Sequence, residues 1–249
     1  MKNKEIPTFY CSEIVGDQAK LTEDESLHAC KVLRLSVGNR MKLIDGNGGY
    51  FEGMLDYASS KQAIVRIDHK EYFEKDPNRH LHIAISPTKN SDRMEWMVEK
   101  AVEIGVEEIS FFYSKRCERS SINLDRIERI AIAALKQSKK FFFPKLNEFN
   151  SLESMLKHLD AQKQDIFIGH LMSDERNYFV EELKTNVKTC VLIGPEGDFT
   201  HDEIVLALEH KAKAISLGES RLRTETAAIF ACAQFETIFQ LKKTNSYVG

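Results

Sequence analysis

Cysteine is scarce in this chain of 249 residues, and the five present, Cys11, Cys30, Cys117, Cys190 and Cys232, are odd in number and far apart. No C-x-x-C pair occurs, so neither a disulfide framework nor a zinc knuckle is indicated. Long apolar runs are missing as well. No stretch approaches the roughly 20 residues that a bilayer-crossing helix needs, and Met1-Lys2-Asn3-Lys4-Glu5 leads into no apolar signal segment. A cytoplasmic protein with no membrane partner is expected. Positive charge is not in excess either: the formal net charge is −3, which argues against coating of nucleic acid by bulk electrostatics. There is no internal repeat and no low-complexity tract. What is present, 42% hydrophobic and 29% charged residues, is the composition of an ordinary globular chain with enough apolar material for a sizeable core.

The first seventy residues read as short strands between turns: Met41 to Ile44, Tyr50 to Leu55 and Ala63 to Ile67, with Asp45-Gly46-Asn47-Gly48-Gly49 as hairpin punctuation. One helix, from about Glu23 to Leu33, interrupts them. A small β-barrel-like domain over residues 1–72 is expected. The polar stretch around Pro77 is the linker, because a proline disfavours helix before it. From residue 73 to 249 the period changes. Strands are expected at Leu81 to Ser86, Glu108 to Tyr113, Asp165 to Gly169, Thr189 to Ile193 and Ala214 to Leu217. Asp92 with Glu95 forms a capping-box-like start to a helix whose apolar face is Met94, Met97, Val98, Ala101 and Ile104, and Gly105 ends it. Further helices are expected near Leu124 to Lys139, Tyr178 to Thr185, Thr200 to Glu209 and Thr226 to Lys242. Alternating strands and helices give an α/β domain, a parallel sheet with helices on both faces.

Two C-terminal segments carry the chemistry. Ile193-Gly194-Pro195-Glu196-Gly197 follows an apolar strand and precedes a capped helix, so its loop presents free backbone groups to a ligand. Leu217-Gly218-Glu219-Ser220-Arg221-Leu222-Arg223-Thr224-Glu225 crowds charge and hydroxyls where a connection needs none. Two such loops at one edge of a parallel sheet make a crevice for a small polar molecule. Neither is a G-x-G-x-x-G nor a P-loop, so pyrophosphate cofactors are disfavoured.

These segments resemble those of the ribosomal RNA small subunit methyltransferase E family, within the SPOUT class of knotted methyltransferases. The resemblance extends upstream through Val32-Leu33-Arg34-Leu35, Asp45-Gly46, Glu99 to Val106, Ser114-Lys115-Arg116-Cys117 and Gln137-Ser138, and so covers nearly the whole chain. It implies a PUA-like β-barrel RNA-binding domain ahead of an α/β knot, a deep trefoil that generic topology rules would reject. It implies S-adenosylmethionine as donor, a homodimer, and methylation of a 16S rRNA uridine at N3 near the decoding centre. Carried over, Gly194, Pro195, Glu196 and Gly197 with Ile193, and Leu217, Gly218, Leu222, Arg223 and Thr224, would line the donor pocket. Ile168, Gly169 and His170 would close it. Two positions depart from the family pattern: Asp198 stands where a second glycine is usual, and Lys139-Lys140 where an arginine is common.

Uridine N3 is a poor nucleophile until its proton leaves. Arg223 is the candidate for stabilising charge on the uracil oxygens, and Glu225 or Glu196 for orienting the base or taking the proton; Arg116 is a further candidate. Glu225 has an alternative reading, a carboxylate facing the N–H groups of a helix start. For RNA, nine cations lie between Lys115 and Lys145 (115, 116, 119, 126, 129, 136, 139, 140, 145) against the acids 118, 125 and 128. Arg116, Arg119, Lys139 and Lys140 are expected to meet phosphates, with His28, Lys31 and Arg34 at helical spacing in the N-terminal domain. An ordinary solvated helix face remains the competing reading for both sets. Phe141-Phe142-Phe143 reads as packing or as a base-stacking platform, and His80 and His82 lack the spacing of a metal site. Two other functions stay open: a SPOUT enzyme for another base or a ribose 2′-OH, and a non-catalytic ribosome-assembly RNA-binding protein.

Overall fold

The computed structural model describes residues 6–172, 176–184 and 187–245. The chain divides into two units, one of Met1–Lys75 with Leu135–Phe143, the other of Asp76–Ala134 with Pro144–Gly249. A single cut after residue 72 does not foresee that the end of one helix and Phe141-Phe142-Phe143 group with the N-terminal unit.

That unit is built on β1 (Thr8–Tyr10), β2 (Glu13–Val15), β3 (Gln18–Lys20), α1 (Glu23–Leu27), β4 (Arg40–Ile44), β5 (Gly49–Ala58) and β6 (Ala63–Tyr72). The strands form one sheet in the order β1-β4-β5-β6-β3-β2, a half-barrel of the PUA type. Along β5, Gly49, Phe51, Gly53 and Leu55 are buried and their neighbours less so, the period of two that a one-sided sheet requires. Phe9, Met41, Leu43, Phe51 and Val65 fill the core. Gly53 is obligatory for space: a Cβ there would stand 2.3 Å from the Arg66 carbonyl oxygen. The three phenylalanines are packing residues, Phe141 stacked on Phe73 at 4.0 Å and Phe143 against Tyr10 at 6.1 Å.

One expectation fails here. The helix from Glu23 does not stay regular to Leu33, because residues His28–Val32 form a π-helical turn, closed by Leu33 N–H to His28 O at 2.9 Å. Arg34 then takes the left-handed conformation at φ 54°. A wider turn advances less per residue, so His28, Lys31 and Arg34 do not share a helix face. All three are exposed.

The second unit contains β7 (Leu81–Ile85), α2 (Ser91–Ile104), β8 (Glu108–Phe112), α3 (Leu124–Ser138), β9 (Lys145–Phe149), α4 (Leu152–Gln162), β10 (Asp165–Gly169), β11 (Asn177–Tyr178), α5 (Phe179–Glu182), β12 (Thr189–Ile193), α6 (His201–Glu209), β13 (Lys213–Ser216) and α7 (Thr224–Asn245). Seven strands make a wholly parallel sheet in the order β11-β13-β10-β12-β7-β8-β9. β7, β8 and β12 are buried at every position, as central strands covered on both faces must be. No helix among the described residues is long and apolar enough to cross a membrane.

Local differences have identifiable causes. Asn90, not Asp92, caps α2 through its side chain and the Asp92 N–H, which frees Glu95 to hold Arg126 at 2.5 and 2.7 Å. Thr200 and Glu203 do form the expected capping box, and Gly105 ends α2 at φ 104°. The helix expected from Tyr178 shrinks to Phe179–Glu182, and its expected end at Thr185 lies outside the described residues. β9 and α4 had no expectation; α4 opens on a Ser151–Ser154 capping box, in which serine replaces the glutamate that normally signals one. On α7, Phe230 is exposed, whereas Ile229, Ala233 and Phe239 are half-buried.

Candidate active site

Three neighbouring strands, β13, β10 and β12, end together at one edge of the sheet, and the loops that leave them enclose a cavity of about 310 Å3. Such an edge is where open parallel sheets bind ligands, because the loops there diverge to opposite faces. β10 contributes Gly169 and His170; β12 contributes Ile193 and the Gly194-Pro195-Glu196 turn; β13 runs out through Ser216 to Thr224. The cavity is large enough for a nucleoside-sized ligand.

Glycine matters here for space. A Cβ on Gly194 would lie 3.1 Å from two ring carbons of buried Phe199, and one on Gly197 would lie 3.3 Å from the Cβ of Arg116. Gly218, at φ 153°, needs the freedom of glycine as the chain turns into the second loop. Its neighbour across the wall is the ring of Phe230. Thr224 and Glu225 are the first residues of α7 rather than loop residues.

Eleven of the thirteen residues expected in the donor pocket line this cavity. Ile168 does not: it is fully buried one residue before the strand end, with its side chain in the core. Gly197 faces away, against Arg116. Arg116 also stays outside the lining; it donates from Nη1 to the carbonyl oxygens of Gly197 at 2.8 Å and Phe199 at 3.3 Å and braces the loop from behind. Arg223 lines the cavity and is exposed, and its guanidinium has no hydrogen-bond or ion-pair partner among the described residues. Glu196 lines it too, its Oε1 accepting from the Lys89 N–H at 3.1 Å. Glu225 is buried behind the wall, with Oε1 3.7 Å from Nε of Arg93 and Oε2 lacking a hydrogen-bond partner.

The sequence reading missed Arg176, a further cation of the cavity, and did not count Asp198 as a lining residue, whereas Arg221, whose segment was expected to bring charge to the crevice, does line it. Arg221 stands inside the segment already singled out. Arg176 stands six residues after His170, and its guanidinium donates to the His170 carbonyl oxygen. Nδ1 of His170 accepts from the Met172 N–H at 3.2 Å, so the ring is the Nε2–H tautomer, and burial lowers its pKa from 6.5.

The basic run is partly spent on structure. Lys115 pairs with Asp202 at 2.9 Å, Arg126 with Glu95, and Lys136 with Glu25 at 2.5 Å. Lys139 is exposed in the left-handed position that ends α3, at φ 55°, and Lys140 is half-buried. Arg119 lines a second cavity of about 300 Å3 beside the start of α2, and its Nη1 is buried without a hydrogen-bond partner. Among the described residues no group of three or more His, Cys, Asp or Glu is arranged to hold a metal.

Comparison with known proteins fits this geometry. A family model described as an RNA methyltransferase domain matches residues 74–236, and one described as an RNA methyltransferase PUA domain matches residues 21–68. The ribosomal RNA small subunit methyltransferase E of Rickettsia conorii is 29% identical over 232 residues, 91% of this chain and 93% of that protein. A Porphyromonas gingivalis structure described as a "probable rRNA-methyltransferase" superposes with a TM-score of 0.85 at 38% identity, covering 95% of this chain and 100% of that one. The ribosomal RNA small subunit methyltransferase E of Neisseria gonorrhoeae, solved bound to S-adenosyl methionine, superposes with a TM-score of 0.81 at 26% identity over 94% and 98% of the two chains. With a PUA-type half-barrel, a parallel seven-stranded sheet and a cavity where the glycine loops leave β12 and β13, this chain belongs to the RNA methyltransferase family of the ribosomal RNA small subunit methyltransferase E type.

Proposed function

We propose that this protein methylates N3 of a uridine in 16S rRNA of the small ribosomal subunit, with S-adenosylmethionine as donor. The observation that carries the reading is the cavity at the ends of β10, β12 and β13, where free cations meet an apolar wall. The donor has an adenine, a ribose, a sulfonium and an amino-acid end. Leu217, Leu222, Ile193 and Ala227 offer apolar surface for the base, while Arg176 and Arg221 suit the carboxylate. Gly194 and Gly218 leave the backbone bare for close approach. When bound, the donor supplies an electrophilic methyl group on its sulfonium sulfur.

The protein's own part is to bring uracil to that methyl group and to make loss of its N3 proton less costly. Arg223 carries a guanidinium into the cavity with no internal partner, so it is free to face the negative charge that develops on the uracil oxygens. Glu196 reaches the same space and orients the base or accepts the proton. Glu225, set behind the wall, holds Arg93 and the start of α7. Arg116 fixes the Gly194–Gly197 loop and has the exposed position from which to meet a phosphate. A base inside a folded RNA must be turned out to reach the cavity. His28, Lys31 and Arg34 in the N-terminal unit, with Arg119, Lys139 and Lys140, would hold the flanking backbone.

The insertion of β12 between β7 and β10, both earlier in the chain, supports a knotted path. A homodimer is part of the same reading: Phe230 is 42% exposed and lies against Gly218, where a partner subunit would finish the pocket wall. The cytoplasm, where ribosomes are assembled, is the expected compartment. Labelled S-adenosylmethionine, the protein and small subunits from cells lacking it should yield 3-methyluridine by nucleoside mass spectrometry. Methylation of a ribose or another base would replace the substrate assignment, and RNA binding without transfer would make the protein an assembly factor.

A further inference from the structure

Among the described residues five other than glycine have positive φ: Arg34, Lys139, Lys163, Asp198 and Lys211. Four of them follow the last turn of a helix, where a left-handed residue ends the hydrogen-bonded spiral. Asp198 does not. It stands in the loop between β12 and α6 at φ 61°, closing a turn through its N–H to the Pro195 carbonyl oxygen at 3.0 Å. A left-handed backbone crowds any Cβ, and glycine would occupy the position without that cost. Strain of this kind persists where surrounding contacts hold it in place, and it concentrates at functional sites.

The side chain shows what the strain secures. Oδ2 of Asp198 accepts from the Leu171 N–H at 2.9 Å, and Oδ1 accepts from the Phe199 N–H at 2.8 Å. The second bond is local. The first joins the loop after β12 to the loop after β10, and Asp198, His170 and Leu171 all line the cavity. Residues 170–172 are otherwise tied to their own neighbourhood, by Met172 N–H to His170 and by Arg176 to the His170 carbonyl oxygen. A glycine at 198 has no group that could make the connection.

We infer that Asp198 is a positioning residue of the donor pocket: its carboxylate locks the wall at residues 170–172 to the Gly194–Gly197 loop, so that the pocket is formed before the donor arrives. The inference rests on the donor reading of the cavity. It separates stability from affinity, because D198G relieves the backbone while cutting the tie. D198N tolerates the left-handed conformation and keeps one oxygen that can accept the Leu171 N–H.

The test titrates S-adenosylmethionine calorimetrically into the full-length wild type, D198G and D198N, alongside the ligand-free melting temperature and amide hydrogen exchange across residues 169–172. D198G should bind about tenfold more weakly, the loss of one hydrogen bond to a charged group, with an unchanged or higher melting temperature and faster exchange at Leu171. D198N should stay within about threefold of wild type, since the hydrogen bond rather than the charge carries the effect. Wild-type affinity in D198G, or exchange at Leu171 that does not change, overturns the inference. So does a D198N defect as large as that of D198G, or a D198G melting temperature well below wild type. A wild-type protein that binds no donor is a different result, and it removes the donor reading itself.

Discussion

The two edges of the seven-stranded sheet treat their polar groups in opposite ways. At the N-terminal edge most are consumed internally, Oε2 of buried Glu108 being an exception. Arg79, ahead of β7, binds Glu107, Glu236 at 2.7 Å and the Gly105 carbonyl oxygen, and its guanidinium lies 5.8 Å from the ring of Phe235. Just inside, fully buried His82 accepts from Ser110 at 2.7 Å and donates to Gln164 at 3.3 Å, while Asn147 donates to both Ser110 and Glu108. At the C-terminal edge Arg221 and Arg223 are exposed and their guanidinium groups have no partner among the described residues. The same residue type is structural where it is saturated and available for chemistry where it is not. The strand direction decides which edge is which, because only the C-terminal ends release loops that spread apart around a crevice.

Variants at the two edges should therefore fail differently. The largest loss of stability is expected from Arg79→Met, which removes the cation between two half-buried carboxylates: urea unfolding should show a loss of about 3 kcal/mol, with donor affinity of the folded fraction unchanged. A donor-binding defect at constant stability would break the contrast. Arg223→Ala should do the reverse. Single-turnover methylation at saturating donor and RNA should fall about a hundredfold or more, while the melting temperature stays at the wild-type value; an unchanged rate removes Arg223 from the charge-stabilising role.

A pH dependence that is absent near neutral pH is expected at the closed edge. Burial pushes the His82 pKa from 6.5 down to about 3, so the folded protein holds a neutral ring and the 3.9 Å approach to Glu108 is not an ion pair. Because the unfolded chain binds the proton first, stability falls as pH drops below about 6.5. Over the window down to about 3 this one group removes roughly 1.4 kcal/mol per pH unit. His82→Gln should flatten that acid limb in urea titrations. An acid limb of the same slope in the variant would assign the loss to other groups.

Much of this site is legible in the chain because the signals are local. Gly194-Pro195-Glu196-Gly197 and the Leu217 to Thr224 segment announce loops after buried strands, and a strand ending is a matter of neighbouring residues alone. β10 and β12 have the bounds that their apolar runs predict. Errors gather where a choice depends on distant partners. Asn90 and Asp92 are both competent caps, and what separates them is that Glu95 is drawn to Arg126, thirty-one residues along. Glu225 is in the right segment yet turns from the cavity toward Arg93 on another helix.

Hydrophobic period, capping and glycine act over a few residues, and they fix most of the helices and strands and the two loops that bear chemistry. Which groups meet in the pocket is set by long-range packing. It placed β10 between β12 and β13, turned Gly197 onto Arg116 and set Asp198 against Leu171. Those contacts join residues far apart in the chain, and only the packing of the sheet brings them within hydrogen-bonding reach.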